Sequence, residues 1–295
     1  MKLLFRYACP MPEQLDPLAT TALWTASMRA REHDRPDRLF SDPLASVLAG
    51  QEGSEVMRGF ESDVQKGVED PALAIRTRFL DDALARIAED ENVRQIVLVA
   101  AGMDSRSFRM EWPPDTSMYE LDQPALLSLK ERLLSAVDAV PKCRRIPIAV
   151  DLTAAWSPSL LSTDFHPTRS TVWLVEGLFH FLDRGQRDTL LRQITALSSQ
   201  GSWLLADYVS QQSLNAPSMR AWLQGMAKRN HAWRSGCDDP ESWLKDLGWH
   251  ATVTHYGEPD ADFGRWAAAE VAPGVPGTRG RYLIVASRSL SADNP

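Results

Sequence analysis

The sequence predicts an α/β fold: a doubly wound, mostly parallel sheet of seven strands, with a helical N-terminal cap and an insertion after the fifth strand. Three observations carry this. From residue 95 onward, short β-rich runs alternate with helical stretches, the pattern of parallel strands joined by crossover helices. The first apolar run, from Ile96 to Ala101, stops at Gly102, and the second short run ends on acids, Glu120 and Asp122. That is the layout of a nucleoside-binding β-α-β unit. The last two runs are joined by loop-like sequence instead of a helix, which an antiparallel final hairpin explains.

The first 90 residues read as helices. Residues 17–32 are rich in Ala, Thr and Leu, with Trp24 and Met28 one turn apart. Asp42 before Pro43 reads as an N-cap with proline at the first helical position. Residues 71–90 carry Leu73, Ile75, Phe79, Leu80, Leu84 and Ile87 at helical spacing. Strands are expected over 95–101, 117–121, 145–151, 171–176, 202–209, 250–256 and 281–288, with helices over 123–140 and 185–198 among them. The chain then divides as one domain, 1–295. Residues 1–90 form the cap, 91–210 the cofactor-binding core, 211–246 a cap insertion and 247–295 the final strands.

Composition narrows the function classes. At 295 residues and 44% apolar content the chain can bury a large core, and α/β folds of this size often remain one domain. No apolar run approaches the roughly 18 residues of a membrane span. The opening residues hold a lysine but no sustained apolar stretch, so no cleaved signal is expected. A net charge of −7 without a basic run disfavours nucleic acid as a partner. Cys9, Cys143 and Cys237 are scattered, form no CxxC pair and suit a reduced cytoplasmic setting. No metal is expected.

The residues at the strand ends carry the chemistry. Gly102 allows close backbone approach to a ligand, but GMDSRS is not the glycine-rich dinucleotide turn. This points to an adenosine-bearing cofactor other than NAD. Asp104 and Arg106 follow at a loop-to-helix junction, where a helix cap with a surface ion pair is the plainer alternative. Asp122 can accept hydrogen bonds from vicinal ribose hydroxyls, or cap the helix after Pro124. Asp151 can accept from an exocyclic adenine amine while Leu152 packs on the purine; a helix cap is again the alternative. Glu176 stands at the ligand edge of the fourth strand. His180 and His231 are the only candidate bases, and a lone His among apolar residues is more often a core residue. Between 211 and 246, Trp222 and Trp233 are interleaved with Arg220 and Arg234. They read as the wall of an organic-acid pocket or as the inner face of a covering helix.

Five strings extend the reading. AIRTRFLDDAL, QIVLVAAGMDSRSFRM, YELDQPALLSLKERLL, AVDLTAAW and TVWLVEGLFHFL stand in the order and spacing of one family. The chain resembles the leucine carboxyl methyltransferases, above all the bacterial O-methyltransferases of polyketide and related secondary metabolism. TALWTASMRARE and FSDPLA resemble the N-terminal cap of that branch. The likeness covers about residues 18–210 well and the tail more loosely, through HYGEP and YLIVASRS.

The resemblance implies a class I methyltransferase fold and S-adenosyl-L-methionine as cofactor. It implies that Arg76 grips the methionine carboxylate with a two-pronged fork. Gly102 then lies under the methionine part, Asp122 on the ribose, Asp151 and Leu152 about the adenine, and Glu176 near the cofactor amine. Ala100 departs from the family's Gly-Ala-Gly, and its methyl narrows the approach. Acceptor contacts fall to Trp24, Arg220, Trp222, Trp233 and Arg234. A carboxylate acceptor needs no base, and the lack of a dedicated base favours one over a hydroxyl. The expected partner is a small organic acid, the expected assembly a monomer or homodimer. A protein C-terminal carboxylate, a degenerate cofactor-binding fold and a nicotinamide oxidoreductase are the alternatives.

Overall fold

The structure, a computed structural model, describes residues 17–60, 70–266 and 280–288. Cys9 and the opening residues scanned for a signal lie outside the described residues. The chain runs α1 (Pro17–Asp34), α2 (Ala45–Phe60), α3 (Ala72–Asp90), β1 (Gln95–Val99), α4 (Arg106–Arg109), β2 (Ser117–Asp122), α5 (Pro124–Ser135) and β3 (Arg144–Ala149). It continues through α6 (Ser157–Leu161), β4 (Thr171–Val175), α7 (Arg184–Ala196), β5 (Trp203–Val209), α8 (Arg220–Lys228), α9 (Pro240–Lys245), β6 (His250–His255) and β7 (Arg281–Ser287).

The strands form one sheet in the order β3-β2-β1-β4-β5-β7-β6. Every pairing from β3 to β5 is parallel. The expected final hairpin is present, with one refinement. β7 slots between β5 and β6 and runs antiparallel to both, so β6 keeps the direction of the others.

The central strands are apolar because helices cover both their faces. All five residues of β1 are buried, and they alternate between two cores. Ile96 and Leu98 meet Leu80, Leu84 and Ile87 of α3, whereas Val97 and Val99 face the layer of α6 and α7. Leu84 and Ile87 are fully buried, which stabilises the fold by about 1.5–3 kcal/mol per side chain. α7 starts at a capping box in which the Asp183 carboxylate accepts from Gln186 N–H and the Gln186 side chain accepts from Asp183 N–H.

Two local expectations change. Asp42 caps no helix with its side chain. The carboxylate is fully buried and takes the Arg29 guanidinium at 2.9 Å, and α2 begins three residues later and kinks at Gly50. The insertion is not one covering helix but a run of short turns with α8 and α9.

Candidate active site

The sheet reverses its winding between β1 and β4, and this is where the ends of neighbouring strands part to leave a crevice. Two cavities open there. The larger, of about 190 Å³, is bordered by Gly102 after β1, Asp122 at the end of β2, Asp151 and Leu152 after β3, and Glu176 after β4. The smaller, of about 120 Å³, lies beside it toward α8 and β7. Thr21, Thr25, Arg76, Gly177 and Phe181 border both, so the two chambers meet at the Arg76–Gly177 wall.

The β1 turn is built for close approach. Ala100 sits at φ 59° and Gly102 at φ 50°, both left-handed. A Cβ on Gly102 would lie 3.1 Å from the Ala22 Cβ of α1. Asp122 ties this turn to β2: Oδ2 accepts from Gly102 N–H at 2.6 Å and Oδ1 from Gln123 N–H at 2.7 Å. Burial pushes its carboxyl above the usual range against the pull of those two N–H groups. Each oxygen keeps a second lone pair for a hydroxyl at the cavity. Asp151 is exposed and accepts from the N–H and hydroxyl of Thr153, which hold its carboxyl below the usual range. Val150, Asp151 and Leu152 form the cavity edge opposite Gly102.

Under the crevice, acids and arginines alternate. Arg106 Nε donates to Asp81 at 2.7 Å, Arg106 Nη1 meets Glu176 Oε2 at 2.9 Å, and Arg76 Nε donates to Glu176 Oε1 at 2.8 Å. Arg76 Nη1 then donates to Asp207 Oδ2 at 3.1 Å. Arg106 also donates to Asp104. Burial works against the ionised form of both acids, but Arg106 outweighs it. The Asp104 carboxyl is held at about 2, and Glu176, with Arg76 also beside it, lies below its usual range. The Asp104–Arg106 pair is therefore buried, not the surface pair of the plainer alternative. Two Arg76 nitrogens and both Glu176 oxygens are engaged within the protein, a tighter arrangement than an open fork awaiting a ligand.

The predicted acceptor residues divide. Trp24, Trp222 and Trp233 border the smaller cavity, Trp24 and Trp222 with ring centroids 5.8 Å apart. Arg220 and Arg234 do not. Both are exposed, and Arg234 reaches Gln186 instead. The arginines in that wall are Arg76 and Arg281, the latter paired with Asp70. His231 is buried against α1, where its Nε2 meets the Thr20 hydroxyl at 3.1 Å, and it borders neither cavity. His180 does border the smaller cavity. Sequence reasoning missed Asp207, Asp81 and Arg281. An acid inside the apolar run LLADYV was the one signal for Asp207.

The residues present fit an adenosine ligand with a charged tail: a glycine-turn cradle, a carboxylate at the second strand end and an apolar edge after the third. Among the described residues, no group of three or more His, Cys, Asp or Glu is placed to hold a metal ion, and no helix is long and apolar enough to cross a membrane.

Known proteins agree. Residues 22–195 match the sequence profile described as leucine carboxyl methyltransferase. A Parafrankia protein assigned by name as an S-adenosyl-L-methionine-dependent methyltransferase is 37% identical over 242 residues, covering 78% of this chain and 76% of its own. A Mycobacterium marinum protein of the same assignment is 32% identical, covering 96% of each chain. In solved structures, a Thermobifida fusca protein assigned as a methyltransferase shares the fold at TM-score 0.60 and 12% identity, covering 95% of this chain and 97% of its own. A DUF574 protein of Streptomyces avermitilis does so at TM-score 0.59 and 16% identity, with 91% and 97% covered. The strand order, the cradle at the β1 turn and these matches lead to one conclusion: the chain belongs to the leucine carboxyl methyltransferase family and is an S-adenosyl-L-methionine-dependent methyltransferase.

Proposed function

We propose that the protein is an O-methyltransferase of small molecules, with a polyketide-type metabolite as acceptor. The observation that supports this most is the pair of adjoining cavities. The larger is lined by the strand-end residues that suit the cofactor, and the smaller is walled by tryptophans that suit a flat organic acceptor. The cofactor, when bound, supplies a methyl group on a positively charged sulfur.

The protein's own residues bind, align and exclude water. Asp122 holds the ribose hydroxyls, Asp151 and Leu152 frame the adenine, and Arg76 meets the methionine carboxylate beside the Gly177 wall. Glu176 and Asp207 keep the Arg76 guanidinium in place. Asp104 and Arg106 brace the β1 turn beneath. Trp24, Trp222 and Trp233 orient the acceptor across that wall.

Calorimetric titration with S-adenosylhomocysteine and turnover on a panel of hydroxylated and carboxylated aromatics test the division. Asp122→Ala should weaken cofactor binding by about 1–3 kcal/mol. Trp222→Ala should lower acceptor turnover with cofactor affinity unchanged. A product methylated on nitrogen or carbon would overturn the O-transfer reading. Loss of cofactor affinity in Trp222→Ala would overturn the assignment of the two cavities.

A further inference from the structure

Arg76 is held from two sides. Its Nε donates to Glu176 Oε1 at 2.8 Å and its Nη1 to Asp207 Oδ2 at 3.1 Å, while Nη2 has no hydrogen-bond partner among the described residues. The guanidinium packs against the backbone of Gly177, where an added Cβ would lie 3.6 Å from Nη2 and 3.7 Å from Nη1. Arg76 and Gly177 both border the larger cavity.

Asp207 acts on both of them from behind. It comes from β5, a strand that contributes no residue to the border of the larger cavity. Asp207 itself borders the smaller cavity, and its side chain is buried. Oδ1 accepts from Gly177 N–H at 2.5 Å, and Oδ2 accepts from Arg76. Gly177 stands at φ 68°, a left-handed turn that this bond helps to fix. A buried carboxylate needs donors at its oxygens, and here they come from two separate segments, α3 and the turn after β4.

We propose that Asp207 is a positioning residue for the amino-acid tail of the cofactor: its one carboxylate sets the Arg76 guanidinium and the Gly177 peptide in place before the ligand arrives, without touching the ligand. This rests on the reading that Arg76 meets the methionine carboxylate. Glu176 alone would leave the guanidinium free to swing about Nε, and a second hold at Nη1 fixes its plane. A long arginine side chain loses rotamer freedom when it grips a ligand, and an arginine already fixed has less to lose.

Charge alone predicts a different outcome. Neutralising Asp207 strengthens the pull of Arg76 on a ligand carboxylate and weakens the wall's hold on a ligand ammonium. For a zwitterionic tail the net change is then near zero or favourable. Positioning predicts a loss.

Calorimetry with two ligands separates these. S-adenosylhomocysteine carries the tail, whereas 5′-methylthioadenosine keeps the nucleoside and the sulfur and lacks it. Asp207→Asn keeps the shape, but its amide must turn an N–H toward one of the two donors. The preference for S-adenosylhomocysteine over 5′-methylthioadenosine should fall about tenfold in this variant, the scale of a hydrogen bond to a charged group, with 5′-methylthioadenosine affinity retained. A general loosening of the fold would weaken both ligands alike. An unchanged or larger preference, or an equal loss for both ligands, would overturn the proposal. If the variant does not fold, the wild-type protein gives the answer. Its Asp207 carboxyl carbon resonance should move with S-adenosylhomocysteine and stay in place with 5′-methylthioadenosine. A carbon that stays with both, or moves equally with both, would also overturn it. Arg76→Ala separates the proposal from the reading beneath it. If Arg76→Ala loses the preference while Asp207→Asn keeps it, only Asp207 is misassigned. If Arg76→Ala keeps the wild-type preference, the Arg76 assignment falls and the proposal falls with it.

Discussion

Ala100 sits at φ 59°, a conformation that costs a residue with a Cβ about 1–2 kcal/mol. Glycine pays no such cost, although its freedom in the unfolded chain takes back part of the gain. Ala100→Gly should therefore raise stability by about 0.5–1 kcal/mol in urea denaturation. A loss of stability would show that the alanine methyl packs usefully. At this scale the sequence was partly legible. An acid at the end of an apolar strand announces itself, as Asp122 and Glu176 did, because a charge has no reason to close a buried run unless something meets it there. Arg281 did not, because an arginine opening a strand looks like any solvated strand start. Nor did sequence separate His180 from His231. Both are buried, and only the packing puts one against a cavity and the other against Thr20.

Elements meet the site through buried charge. Asp81 on α3 accepts from Arg109 Nη1 at 2.6 Å and from Arg106 Nε at 2.7 Å, and so clamps α4 and the β1 turn to the cap. Asp81→Ala leaves two buried guanidinium groups facing one acid fewer and should cost about 3–5 kcal/mol. Thermal denaturation checks this, and S-adenosylhomocysteine affinity should fall with it as the turn loosens. Acid has a related effect. The folded Asp104 carboxyl titrates at about 2, below the value of about 4 for an unfolded aspartate. A depressed folded value contributes stability that is whole above the unfolded value and lost as pH falls through the folded one. Glu176 shifts in the same direction. Urea stability should therefore drop between about pH 4 and pH 2, and Asp104→Asn should flatten that slope. A slope unchanged in Asp104→Asn would place the titration elsewhere. The strands were read to within a residue or two because their apolar runs are bounded by turns. The insertion was not, because its short helices carry too few turns for a period to emerge, and Arg220 and Arg234 could not be placed on a face.

At the scale of the whole molecule, the alternation of strands and helices fixed the architecture, while the reversed β7 left only the missing helix as its trace. Chemistry at strand ends pointed to residues that border the larger chamber. The smaller chamber was harder to see, because its wall is drawn from α1, α3, the turn after β4, β5, α8 and β7 among others, segments that share no local pattern. One of these has a consequence for timing. Thr21 and Thr25 of α1 border both chambers, so a single helix contributes to the wall of each. On the two-cavity reading proposed above, a shift of α1 that widened one chamber would widen the other, and the two products would leave together instead of in sequence. Release steps of this kind limit the turnover of many enzymes, and we expect the same here. Rapid mixing should then show a burst of product equal to the enzyme present, followed by a slower linear phase. Added viscogen should slow the linear phase and spare the burst.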